Sequence, residues 1–497
     1  MPNYRSLWLA ICTECRKTSA MCRRLIFVLL ALLCPFAKLS AQRAVSFGEA
    51  VELLCDNHAE LRGARYAMLG ADYERRAARG LRLPQLRLMG TYALLQRDVA
   101  IELGGAKGVV TETLNSLIGK GLASGMLTPD VAQLLGEGLS PLTSMDWGYT
   151  LQRRSFAALG AELSVPIYAG GRIAAANRAA DIELTLSRTR YDSLLGELVT
   201  QLAERYFGVV LLGEVVAVRQ EVVCGMQSHL RDAEAMAEEG FLAHSAVLYL
   251  EYRLSEAEAA LDASQHELSL ARMALCTMVG EEVSPRDMLC VDAELQELDY
   301  YIDIAEQLNP NLAAANLNLA LAEEGVKLAR AAYLPEVAAL GAATLGSYNL
   351  SGMAPRWALG VGLRLNLFDG LASQRRHAAS KMRVQEVGSL VENGRDELRL
   401  LIRSQYFNVA DALSSYHAAL RLSEFAEEYY LSLQEGFREG VTPASELIDA
   451  RLAYSASKLD ALADAYDYCR ALVALYVASG LTSRVVDMVT SGVVVEL

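Results

Sequence analysis

The sequence predicts a mainly α protein with a small transmembrane β part, built from a duplicated unit of two strands plus a long antiparallel helical hairpin. Three observations predict it. The stretch ending VPIYAGGR alternates, with Leu159, Ala161, Leu163, Val165 and Ile167 apolar and Ala158, Gly160, Glu162 and Ser164 small or polar between them. That is period two, a strand with one apolar face, and at Gly170-Gly171 it gives way to helical spacing. The pattern returns 200 residues later: Leu359, Val361, Leu363, Leu365 and Leu367 alternate with Gly360, Gly362, Arg364 and Asn366, and Phe368 and Gly370 stand for Tyr168 and Gly170. Finally, only 11 prolines occur in 497 residues, and the stretch after each joint is long, charged and rich in Ala and Leu, which favours long helices.

Taken in order, residues 1–41 read as a secretory leader. Cys22-Arg23-Arg24 is the basic region, Leu25 to Leu33 the apolar one, and Leu39-Ser40-Ala41 the cleavage site, with Met21 an alternative start. Cys34 follows the bulky Leu33, which argues against a lipidation site, and inside a leader the Cys12–Cys15 spacing is not read as a metal or redox pair. The first repeat spans 42–290. Residues 46–80 are predicted helical, with Ser46 and Glu49 forming a capping box. Leu83-Pro84 stops the helix, strands come next at about 86–96 and 156–168, and residues 97–150 between them are a glycine-rich insertion with amphipathic pieces near Thr111–Ile118 and Pro129–Leu135. A helix from 171 to about 239, roughly 100 Å at about 1.5 Å per residue, turns at Gly240 into a second helix ending near Val279; the hairpin is 171–279.

The second repeat, 291–480, has the same plan. A helix precedes Leu334-Pro335, which matches Leu83-Pro84 at an offset of 251. Strands are predicted at about 337–347, rich in small residues and the weakest of the four, and at 357–368. The hairpin is 371–479, and Tyr406, Phe407, Gly440 and Ser445 match Tyr206, Phe207, Gly240 and Ser245 at an offset of 200. Because Leu371 stands where the first repeat has Gly171, the two bends need not be identical. Residues 481–497 are a tail.

Charge and cysteine usage narrow the function classes. Residues 1–41 carry six Lys/Arg and one acid, so the remainder has 40 basic against 59 acidic residues, a net of −19. Such a surface repels phosphate backbones, so no nucleic-acid partner is expected. Five cysteines remain beyond the leader: Cys55, Cys224, Cys276, Cys290 and Cys469. Cys276 and Cys290 could pair in an oxidising compartment, but the odd count and spacing favour buried free thiols. No stretch beyond the leader reaches 18 uncharged apolar residues, so no transmembrane helix is expected. The six histidines form no HExxH pair, there is no GxSxG elbow, and Gly104-Gly105-Ala106-Lys107-Gly108 lacks the Ser/Thr and spacing of a phosphate loop. No catalytic residue, metal or cofactor is predicted, and the chain is read as no enzyme.

Four alternating strands of about ten residues suit an outer-membrane barrel, but four cannot close one and open edges are not viable in lipid. The chain therefore has to oligomerise. Trp147, Tyr149, Tyr168, Trp357 and Phe368 lie near strand ends, where interfacial aromatics belong. Glu162, Arg364 and Asn366 are expected on the lumen side, although Arg364 could equally pair with Glu162 or its neighbours. Gly170, Gly171 and Gly370 form the strand–helix joints, Val165 and Ile167 are expected to face lipid, and the charged hairpins must project into water.

With the hairpin turns EEGFLAHSAVLYL and REGVTPASELIDAR, the doubled joints VPIYAGGR and LNLFDG and the LP-x-hydrophobic strand entries, the chain resembles the TolC-type outer-membrane efflux family over about residues 46–480. The resemblance implies a homotrimer with a 12-stranded barrel, continued by an α-helical periplasmic tunnel. It implies an exit duct in the outer membrane of a Gram-negative bacterium, working with a periplasmic adaptor and an inner-membrane transporter to export small molecules such as drugs or metals. It also implies that the tips dock the adaptor through Gly240, Phe241, Leu242, Ser245, Gly440, Val441, Thr442 and Ser445. On spacing, Gly240 and Gly440 end helices, and Ser245 and Thr442 cap the next ones. Glu446 and Asp449 share one helical face; spacing alone fits a solvated acidic face equally well, and the resemblance implies a periplasmic aperture. Two alternatives remain open: a type I protein secretion duct, and a non-conducting periplasmic helical scaffold or adhesin. The insertion falls on the extracellular side of this topology, as a plug or as a surface loop.

Overall fold

The computed structural model describes residues 43–145, 147–291, 295–486 and 493–495. The expected leader, with Cys12, Cys15, Cys22 and Cys34, lies outside the described residues, as does part of the tail. In chain order the elements are β1 (Arg43–Val45), α1 (Phe47–Asn57), α2 (Ala59–Gly80), β2 (Gln85–Leu94), β3 (Val99–Glu102), α3 (Gly104–Ala123), α4 (Pro129–Ser144), β4 (Gly148–Gln152), β5 (Ser155–Ala169), α5 (Arg172–Glu238) and α6 (His244–Val279). After these come β6 (Val283–Pro285), β7 (Cys290–Val291), α7 (Leu298–Leu308), α8 (Pro310–Ala331), β8 (Glu336–Tyr348), β9 (Trp357–Arg364), α9 (Ala372–Arg438), α10 (Ala444–Ala478) and β10 (Val493–Val494).

The helix expected over 46–80 is two helices. Its capping box is as expected: Glu49 N donates to Ser46 Oγ, and Ser46 N donates to Glu49 Oε2. The chain then turns extended at His58, and α7 gives way to α8 at an extended Asn309. The two longest helices, α5 and α9, have 67 residues each.

The chain divides into two compact units, each drawing on both halves of the sequence. One takes Arg65–Arg190 and Asn311–Gly394. Its centre is an antiparallel sheet in the order β2-β5-β8-β9. Register sorts the side chains. Leu86 lies opposite Leu163, Leu163 opposite Gly341 and Gly341 opposite Leu359, giving an apolar row; Arg87, Glu162, Ala342 and Ala358 form the next row, on the other face. The strand expected to be weakest, β8, sits inside the sheet and is 13 residues long. Its small residues are the reason: a Cβ on Gly341 would come within 3.0 Å of Leu359 Cδ2 and 3.6 Å of Leu163 Cβ. Bulky neighbours lie over a small-residue strand from both sides.

Two departures from the expected strands matter. Strand β9 ends at Arg364 rather than 368, so Asn366 lies beyond it and is not a strand residue. The register of β5 against β8 shifts between Pro166 and Tyr168. Proline has no N–H to give to a ladder and sits in strand interiors at bulges. The bulge places Tyr168 opposite Val337, whose other partner is Leu363, so Tyr168 joins an apolar row that strict alternation denies it.

Both joints into the long helices are left-handed. Gly170 and Gly171 have φ of 58° and 81°, and Gly370 and Leu371 both have 69°. The expected difference between the bends is thus not one of backbone shape. Leu371 adopts the glycine conformation, at a cost of about 1–2 kcal/mol. Asp369, one residue before this pair, accepts a 3.0 Å hydrogen bond from Ser373 N and so caps the start of α9.

The other unit takes the chain up to Ala64, Tyr191–Pro310 and Arg395–Leu497. Here β1 pairs with β6 in parallel and β7 pairs with β10 antiparallel, so the tail is tied in through Val493–Val494. Tyr206 is wholly buried against Phe47 and Phe207. Its hydroxyl donates to Val45 O at 2.8 Å and accepts from Arg286 N and Asp287 N. One side chain on α5 thereby fixes both β1 and the connector after α6. Gly280 and Gly480, at φ of 82° and 76°, end α6 and α10, and Asn57 and Asn309 donate to the last carbonyls there, Val279 O and Ala478 O. None of the five described cysteines forms a disulfide; burial pushes the Cys469 thiol up to about 12, and its Sγ lies 3.0 Å from Cys290 O.

Candidate functional site at the hairpin tips

The two tips are built alike because the same orphan carbonyls need donors. At the first, Gly240 N donates to Ala237 O and Phe241 N to Met236 O; at the second, Gly440 N donates to Phe437 O and Val441 N to Gly436 O. With Gly240 and Gly440 at φ of 79° and 74°, each is a Schellman turn. In that motif the residue after the glycine commonly packs back on its own helix. Here it does not: Phe241 and Val441 are 83% and 75% exposed. Leu242 does turn inward, packing on the core below the tips.

The capping expectation is corrected. Helix α6 begins at His244 with Ala243 as its cap, and α10 begins at Ala444 with Pro443 as its cap; neither cap makes a side-chain hydrogen bond. Ser245 therefore lies inside α6, and Thr442 precedes the cap of α10. Proline at that position fixes the extended entry that a capping side chain would otherwise favour.

Below the turns, Val247 and Leu250 of α6 share a core with Phe437, Leu447, Ile448 and Ala450. Glu446 and Asp449 stand on the exposed side of α10, opposite that core. Asp449 is not a lone carboxylate. Arg253 Nη2 of α6 lies 3.7 Å from its Oδ1, while Arg253 Nε donates to Tyr249 Oη at 3.1 Å and Nη1 to Glu256 Oε2 at 2.9 Å. The Tyr249 hydroxyl first, and Glu256 second, raise the pKa of Arg253 above the ordinary arginine value. The site thus holds a cation between two hairpin arms, with Glu446 three residues before Asp449 on α10.

Sequence reasoning missed Arg253, and also a buried polar cluster deeper in the same unit. His229 of α5 is 5% exposed, with Nε2 3.2 Å from Tyr430 Oη on α9. Arg451 of α10 lies over the Tyr430 ring at 4.9 Å and donates to Glu221 O. Burial, then the nearby Arg451, lowers the pKa of His229. His229 lies some 200 residues from Tyr430 and Arg451, so no local pattern announces the cluster.

The lumen candidates belong to the sheet unit, and register separates them. Glu162 lies opposite Arg87 and Ala342, whereas Arg364 lies opposite Glu336, itself 2.9 Å from Arg172. Arg364 and Glu162 are therefore not cross-strand partners.

Residues 301–481 match the family described as Outer membrane efflux protein. That stretch contains β8, β9, the whole α9–α10 hairpin and its tip. Over that stretch the chain is similar to the outer membrane efflux family. It is also 25% identical over 369 residues to Protein CyaE of Bordetella pertussis, covering 70% of this chain and 77% of CyaE. Its fold is similar to that of the outer membrane protein VceC of Vibrio cholerae, with a TM-score of 0.65 and 14% identity over 87% of this chain and 96% of VceC. The open-state outer membrane channel MtrE of Neisseria gonorrhoeae is similar as well, with a TM-score of 0.64 and 16% identity over 90% and 94% of the two chains. The protein is accordingly an outer-membrane protein with a channel fold. The four strands of its sheet are the part suited to lipid.

Proposed function

We propose that three copies close a 12-stranded barrel, four strands from each, and that their hairpins, two per copy, form a periplasmic tunnel. In this reading the protein exports small molecules, handed to it by an inner-membrane transporter through a periplasmic adaptor. The observation that carries the reading is the sheet itself. Its outer edges, on β2 and β9, have no strand partner among the described residues, and an unpaired edge in lipid costs several kcal/mol for each bare group. Pairing β9 of one copy with β2 of the next removes every edge. The duplicated unit of two strands and a hairpin supports the same arrangement, because it supplies matching halves around the tunnel.

Within that assembly the exposed Phe241 and Val441 are the adaptor's contacts, together with Leu242, Ser245, Thr442 and Ser445, presented by the turns at Gly240 and Gly440. Glu446 and Asp449 line the aperture, and Arg253 tethers Asp449, leaving Glu446 as the carboxylate that meets passing ions. Conductance in planar bilayers, with mass measurement of the detergent-solubilised protein, tests the duct: a trimer that conducts is expected, and a non-conducting protein sinks it. Gly440→Arg should abolish efflux while the trimer still assembles; normal efflux in that variant removes the docking role from the tips.

A further inference from the structure

The insertion after β2 is a folded module. Strands β3 and β4 form a ribbon, and Lys107 Nζ of α3 donates to Met145 O after α4 at 2.7 Å. Gln152 fastens the ribbon to the β8–β9 connection: its Nε2 donates to Asn349 O at 2.7 Å and its Oε1 accepts from Ser351 N at 2.8 Å. The module is thus tied to the β8–β9 connection at its C-terminal root.

Both helices expose apolar residues, Val109 and Leu117 on α3 among them, and α4 carries a stripe of them that no described residue covers. Ala132 and Leu139 of α4 are half-buried in the seam with α3. Val131, Leu134, Leu135 and Leu142 recur at helical spacing on a different side and remain exposed, Leu134 at 72%. Asp130, Gln133 and Glu137 occupy the remaining side, and α4 contains no Lys or Arg. A membrane-surface helix wants basic residues beside its apolar face; an acidic one is repelled by anionic headgroups. A second copy carries no such penalty, because the stripe is uncharged and meets its own likeness.

We propose that the α3–α4 hairpins of neighbouring copies pack on one another through this stripe and narrow the mouth of the barrel on the side opposite the tunnel, leaving it conducting. The proposal rests on the trimer reading above. Continuity supports it: the module leaves the sheet from β2, whose free edge is where the next copy must pair. A surface loop has no need of a one-sided apolar stripe, and three converging stripes bury it.

The test uses the full chain in detergent. In a Cys224→Ser background, which removes an exposed thiol, Leu134→Cys with a short bis-maleimide should give a covalent dimer on denaturing gels. Native mass is measured on the same sample. A trimer by mass with no crosslinked dimer overturns the mouth contact; absence of the trimer overturns the assembly reading instead. As a second arm, Leu134→Glu with Leu142→Glu should keep the trimer and raise bilayer conductance at least twofold. Unchanged conductance overturns the narrowing, and labelling of the wild-type stripe by a lipid-soluble probe would put it in the membrane and overturn the partner.

Discussion

Replacing each joint glycine by alanine separates backbone shape from crowding, because Gly170 and Gly370 share one and differ in the other. Both have positive φ, 58° and 69°. An L-residue there costs about 1–2 kcal/mol, less about 0.4–1 kcal/mol regained by stiffening the unfolded chain, so Gly370→Ala should lose about 1 kcal/mol. A Cβ at Gly370 meets nothing within 4 Å. At Gly170 it would lie 2.9 Å from Ala331 O and 2.8 Å from Leu334 Cβ. These belong to the end of α8 and the turn into β8, which cannot swing aside as a long side chain does. Crowding of that kind adds about 1–3 kcal/mol, so Gly170→Ala should lose about 2–4 kcal/mol. The measurement is apparent melting of the purified protein in one detergent at one scan rate, since such unfolding is often irreversible. Gly170→Ala should melt well below Gly370→Ala, which should melt slightly below wild type. Equal melting of the two variants would refute the close approach of α8 to this joint.

Two further predictions concern the unit that holds the tips. Tyr206→Phe removes a hydroxyl serving Val45 O, Arg286 N and Asp287 N, and should cost about 1–3 kcal/mol, read as earlier melting and faster proteolysis at 280–297; wild-type protease resistance would contradict it. For His229 the folded pKa is depressed below the ordinary histidine value by burial and Arg451, so the unfolded chain binds more protons and stability rises with pH. The stabilisation should be intact above about pH 6.5, the ordinary value, and fade as the pH falls toward the depressed folded one. His229→Gln should flatten the melting profile between pH 7.5 and 5, and an unaltered slope would show that His229 is not its source.

Much of this architecture was legible in local pattern. Strands β5 and β8 were placed within a residue or two because a half-buried strand must alternate. The tips were placed because a helix that reverses within a few residues needs a left-handed residue, and Gly240 and Gly440 stand 200 residues apart. Gly280 and Gly480 carry the same offset and the same signal, and they went unread because nothing there suggested a function. Alternation alone does not put Tyr168 in its apolar row, because it cannot register a bulge. Pro166 was the available warning, as a residue unable to donate in the middle of a paired strand.

The site was less legible than the fold, for a physical reason. Glu446 and Asp449 were placed together from spacing, since residues three apart share a helical face. Spacing says nothing about a neighbouring helix, however, and Arg253 changes the chemistry by holding Asp449 across the gap between α6 and α10. His229 and Tyr430 meet through packing of α5 against α9, and either alone reads as an ordinary helix residue. The exposed Phe241 and Val441 are the converse. Sequence marks them as apolar, and only the turn geometry shows that each forgoes the contact its motif usually makes. On the docking proposal, a residue that declines its usual intramolecular contact in both tips is left free to meet the adaptor, and the turn hydrogen bonds close without it.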